Sequence, residues 1–125
     1  LEAGRKLGAL VDGLVTALHA HAARVGEVSE KLTVVATGGY GRGILAPFSD
    51  IDLLFLTPHE PKPTTLKAVA YMLYFMWDRG LKVGHATRSV AEGLRLARQD
   101  VTHRTAMLEA RYLDGDRALF DEMRT

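Results

Sequence analysis

Apolar positions along the chain alternate between helical and strand spacing. Over residues 4–25, Leu7, Leu10, Val11, Leu14, Leu18 and Ala22 form one helical stripe, and Gly26 offers a stop. Residues 32–37, LTVVAT, are β-rich and predict a strand running into glycines. A second strand is predicted over 51–57, where 53–56 is apolar without a break, as in a strand buried on both faces. Pro58, Pro61 and Pro63 then break regular structure, leaving His59 exposed in a loop. Thr64 or Thr65 can cap the next helix and Gly80 can close it. Its apolar stripe is Leu66, Val69, Ala70, Leu73, Met76 and Trp77. Tyr71, Tyr74 and Trp77 share helical spacing with aliphatics, which predicts core or groove packing rather than a base-stacking box. Residues 81–88 predict a third strand, and Ser89 with Glu92 forms a capping box for a helix to about 98. A further helix is predicted over about 101–113 and a short one after Asp116, with Gly115 turning between them. Alternating elements of both kinds imply an α/β fold; periodicity does not contain the strand order. There is no internal repeat.

Chemistry concentrates in one stretch, 38–56, GGYGRGILAPFSDIDLLFL. Asp50 and Asp52 stand two apart on a predicted strand, so they share one face. Two strand steps span roughly 6.6 Å, within reach of one hard cation. Gly38, Gly39, Gly41 and Gly43 permit positive φ and close backbone approach to a ligand. A helix starting over 40–45 would turn its free N–H groups toward an anion. Arg42 adds a planar donor fork and Ser49 a hydroxyl. Phosphate donors beside a dicarboxylate suit nucleoside triphosphate chemistry with Mg²⁺. The plainer reading is a tight turn, a capping Asp and one solvated acid. The concentration of all these groups in one short unit favours the nucleotide–metal site.

Other candidates carry less. His85, on the third strand, is either a pocket-facing site residue or a hydrogen-bonded core histidine. Asp78, Asp100 and Glu109 are acids on helices, read first as structural. His19 and His21 lie two apart on different helix faces, lack zinc-chelating i,i+4 spacing, and read as solvated surface groups.

Composition removes several alternatives. The 125 residues make one domain, 47% hydrophobic and 25% charged, as in ordinary soluble cores. A net charge of +1 implies no global pull toward nucleic acid or membrane. The absence of cysteine excludes disulfides and thiolate metal sites. No apolar run reaches membrane-span length and no signal peptide is visible, so a cytoplasmic location is expected. The chain starts at Leu rather than Met and is expected to be a fragment, one domain over 1–125 of a longer protein.

Gly38-Gly39, ten residues, then Asp50-Ile51-Asp52-Leu53 resembles the signature of the DNA polymerase β-like nucleotidyltransferase superfamily. The longer string, with LKVGHATRSVAEG and LEARYLDGD, is similar to the N-terminal nucleotidyltransferase domain of the bifunctional PII uridylyltransferase/uridylyl-removing enzymes. The resemblance covers about 34–120. It implies a small mixed sheet flanked by helices, with the metal site at one strand end. It also implies transfer of UMP from UTP to a tyrosine of the nitrogen-regulatory PII protein, with pyrophosphate released. Asp50 and Asp52 would hold Mg²⁺ and carry catalysis; Gly38, Gly39, Arg42 and Ser49 would contact phosphates. Most of the superfamily takes a third carboxylate from a later strand, and residues 81–88 contain none. Downstream, the resembled enzymes carry a metal-dependent HD hydrolase domain and ligand-sensing ACT domains. Another protein nucleotidyltransferase, such as one adenylylating glutamine synthetase, and a non-catalytic nucleotide sensor are the alternative readings.

Overall fold

A computed structural model describes residues 2–43 and 50–124. Its elements are α1 (Glu2–Val25), β1 (Thr33–Thr37), α2 (Gly38–Gly41), β2 (Ile51–Thr57), α3 (Pro63–Asp78), β3 (Val83–Ser89), α4 (Val90–Gln99), α5 (Val101–Glu109), β4 (Arg111–Gly115) and α6 (Arg117–Arg124). The four strands form one mixed sheet in the order β3-β2-β1-β4. β1 pairs antiparallel with both β2 and β4, and β2 runs parallel to β3. A parallel pair needs a crossover, and α3 supplies it. Among the described residues no helix is long and apolar enough to cross a membrane.

β2 is a central strand, which explains its unbroken apolar run. Ile51, Leu53 and Phe55 join Val34 and Ala36 beneath α1 and α3, in the larger core. Leu54 and Leu56 join Val35 in a smaller core with Phe120 and Met123 of α6. Ser89 accepts a hydrogen bond from the Glu92 amide at 3.2 Å, as a capping residue should.

Several expectations are corrected. The helix predicted to 113 stops at Glu109, and residues 111–115 are the edge strand β4. Gly115 therefore turns the chain from a strand, not a helix, into α6. It has φ +95°, and a Cβ there would lie 2.1 Å from the Leu32 carbonyl oxygen, so no larger residue fits. Lys62, not Thr64 or Thr65, occupies the N-cap of α3, with Pro63 behind it in the first turn. Leu10 is 72% exposed, and the buried stripe of α1 runs through Val11, Val15, Leu18 and Ala22. His19 is buried on that stripe, and its Nδ1 lies 2.8 Å from Asp114 of β4, whereas His21 is exposed as expected. Tyr71, Tyr74 and Trp77 are exposed on the outer side of α3 rather than packed in the core.

Candidate active site

The acids sit where β2 begins. Asp50 is exposed just before the strand, and Asp52 is half-buried as its second residue. In register, Asp52 lies between Thr37 of β1 and Gly84 of β3. Alternation puts Asp52 on the same face as Leu54 and Leu56, opposite the larger core.

Two glycines make room for the Asp52 carboxylate. A Cβ on Gly38 would stand 2.6 Å from Oδ2, and one on Gly84 would stand 2.7 Å from Oδ1. Gly38 also has φ +61°, where a side chain is strained. The carboxylate is thus seated against backbone on both sides. Burial raises the Asp52 carboxyl above its ordinary value, and the neighbouring Asp50 charge adds to the rise.

β1 ends at Thr37 and the chain enters α2 as a single helical turn. The Thr37 side chain makes no capping bond. The first N–H groups of a helix have no intrahelical acceptors, so the Gly38 and Gly39 amides are available as donors. The turn comes two residues earlier than expected and ends at Gly41, so residues 42–43 of the helix predicted over 40–45 are a turn instead; residues 44–45 and Ser49 lie outside the described residues. The four glycines are not equivalent. Positive φ occurs at Gly38 and Gly43, not at Gly39. Gly41 is required by packing, since a Cβ would lie 2.8 Å from the Ala36 oxygen and 2.9 Å from the Glu109 oxygen.

Arg42 donates from Nη1 to Glu109 Oε2 at 2.7 Å. Both side chains are well exposed, and such pairs contribute on the order of 1 kcal/mol or less. The guanidinium therefore braces the turn against α5 without being locked there. Glu109 is occupied as the partner of Arg42, and Asp100 caps α5 by accepting from the Thr102 amide at 2.8 Å. Asp78 ends α3 as an exposed residue.

His85 is not beside the acids. Its register partner is Leu53, and its ring centroid lies 5.8 Å from that of Trp77 on α3. The ring is turned toward Trp77, while the residue itself borders a cavity on the Asp52 face, and the residue flanking Asp52 is Gly84. A glycine inside a strand is a signal of close approach, and it was available in the sequence. A cavity of about 230 Å³ opens on the Asp52 face, bordered by Thr37, Arg88, Leu96, His103 and Met107 among others.

Among the described residues no group of three His, Cys, Asp or Glu side chains could hold a metal. Two carboxylates of like charge, one desolvated, still fit Mg²⁺, which characteristically takes one or two protein carboxylates and completes its shell with phosphate and water oxygens.

Residues 20–105 match the family model described as a nucleotidyltransferase domain. A bifunctional uridylyltransferase/uridylyl-removing enzyme of Rhodospirillum rubrum is 59% identical over 98 residues, 78% of this chain and 10% of that protein. Its counterpart in Azospirillum brasilense is 61% identical over 95 residues, 76% of this chain and 10% of that protein. The Caulobacter vibrioides enzyme is 47% identical over 130 residues, 99% of this chain and 14% of that protein. The chain thus spans 10% to 14% of the length of these curated relatives. The matched span takes in the turn after β1, the strand carrying the acids and the parallel strand beside it, and the chain belongs to the nucleotidyltransferase domain family.

Proposed function

We propose that this chain is the transferase domain of a longer uridylyltransferase, moving UMP from UTP to a tyrosine of the PII signalling protein in nitrogen regulation. The observation that carries the reading is the Asp52 carboxylate, seated against Gly38 and Gly84 and desolvated beside the Asp50 charge. Such a pair is costly without a cation, and a bound Mg²⁺ removes the cost. The names of the relatives support the uridylyl group as the one transferred.

Asp50 and Asp52 would hold Mg²⁺ beside the triphosphate. Bound Mg²⁺ supplies Lewis acidity, neutralising phosphate charge and lowering the pKa of the incoming hydroxyl. The Gly38 and Gly39 amides, with Ser49, donate to phosphate oxygens, and Arg42 leaves its exposed pairing with Glu109 to face the same charge. The tyrosine oxygen attacks the α-phosphorus as the bond to pyrophosphate breaks. Catalysis of this kind is positioning plus electrostatics, so few side chains suffice. HD hydrolase and ACT domains elsewhere in the full-length protein complete a multifunctional cytoplasmic enzyme.

A second reading, a nucleotide sensor without turnover, draws on the lack of a third acid beside the pair among the described residues. The test uses the full-length protein with labelled UTP, Mg²⁺ and PII protein. Label should reach a PII tyrosine, and Asp52→Asn should lower the transfer about a thousandfold. Binding of Mg·UTP without transfer would favour the sensor, and transfer from ATP to glutamine synthetase would replace the uridylyl reading.

A further inference from the structure

The segment joining α5 to β4, residues 109–111, grips the glycine turn from behind. The Arg111 guanidinium donates from Nη1 and Nη2 to Asp12 Oδ2 and Oδ1 on α1, at 2.8 and 3.1 Å. Nη2 also donates to the Tyr40 carbonyl at 3.0 Å. One residue on, Gly41 rests on the Glu109 carbonyl, and Arg42 pairs with the Glu109 side chain. The structure assigns Arg111 the role of a positioning residue: fixed on Asp12, it holds the Tyr40 carbonyl and so sets the Gly38–Gly41 turn against the Asp52 carboxylate.

Three physical points carry this. α2 is one turn of four residues, too short to hold its own shape, so tertiary contacts decide where it lies. Gly38 is two residues from the gripped carbonyl, and a Cβ on it would stand 2.6 Å from Asp52 Oδ2, so displacement at Tyr40 changes the space left for the acid. Stability alone is a poor reason for a guanidinium here. Its Nε is buried with no acceptor, and an apolar pair in place of Arg111 and Asp12 would fill the space without that desolvation cost. An apolar side chain would not hold a carbonyl. A lysine would not do so either while keeping Asp12, because one ammonium lacks the rigid two-pronged fork.

The inference rests on Asp52 being the nucleotide–metal ligand, and two readouts separate the claims. In the full-length protein, Arg111→Lys and Asp12→Asn are compared with Val69→Ala, a core change under α3 that lowers stability away from the turn. Without metal or nucleotide, amide exchange at Arg42 and Gly43, whose N–H groups bond the carbonyls of α2, should rise about tenfold in Arg111→Lys but not in Val69→Ala. Mg·UTP affinity by calorimetry should fall about tenfold, with kcat at saturation nearly unchanged. Asp12→Asn should shift both in the same direction by less. Exchange and affinity in both variants equal to those of Val69→Ala would overturn the role of Arg111 and leave the nucleotide reading standing. Failure of the unaltered protein to bind Mg·UTP would overturn both.

Discussion

Beneath α1 and α3, β2 buries Ile51, Leu53 and Phe55, each no more than 2% exposed. On its other face the same strand presents Asp52, then Leu54 and Leu56, and a cavity of about 230 Å³ stays open beside the acid. Both faces come from a two-residue alternation. One face is packed with aliphatic and aromatic side chains and anchors the strand. The other begins with a charge that apolar packing cannot accommodate, so glycines and open space surround it. The closed face thus supplies the rigidity that lets the open face keep a desolvated carboxylate in place.

The sharpest separation of the two faces comes from Asp52→Asn. Transfer of UMP should fall about a thousandfold, because an amide is a weak Mg²⁺ ligand. Circular dichroism on the same sample should be unchanged. Near-normal turnover would remove Asp52 from the chemistry.

Phe55→Ala is the converse. Emptying its place in the larger core should cost about 3–5 kcal/mol, read by urea unfolding. The fraction still folded should keep normal transfer. A selective loss of activity would mean that the faces are not separable.

Gly84→Ala probes the boundary. The added Cβ would meet Asp52 Oδ1 at 2.7 Å, so the carboxylate must move. Mg·UTP affinity should fall about tenfold with little change in stability. Unchanged affinity would show that the seat on β3 is not needed. Gly39→Val should do less to the backbone than the same change at Gly38, because only Gly38 has positive φ.

The smallest effect is on pH dependence. The Asp52 carboxyl is raised by desolvation first and by Asp50 second, so it takes up a proton above the ordinary carboxylate range. Mg²⁺ affinity should fall as pH drops through that raised value, and Asp52→Asn should remove this part of the profile. Without metal the sign for stability is opposite. The folded state binds this proton more tightly than the unfolded chain, so stability declines as pH rises from the ordinary value to the raised one. Calorimetric melting in chelator across the acidic range should show a slope that is absent in Asp52→Asn.

Much of the site was legible because its signals are local. The spacing of Asp50 and Asp52, the apolar run 53–56 and the Ser89 cap need only neighbouring residues to be read. β4 was hidden because it is a half-buried edge strand of five residues, and its pairing with β1 depends on residues about 80 positions away. His19 reads locally as a solvated group because its partner, Asp114, lies 95 residues on.

The sequence by itself determined the order of helices and strands through β3, the strand buried on both faces and the acid pair at its start. These follow from side-chain alternation and backbone preference within a few residues. Only the tertiary structure decided which residue flanks Asp52, that His85 turns toward Trp77, and that Arg111 reaches the Tyr40 carbonyl. Register, pairing and the seat of a buried charge are settled by contacts between distant segments, whose energies no local pattern encodes.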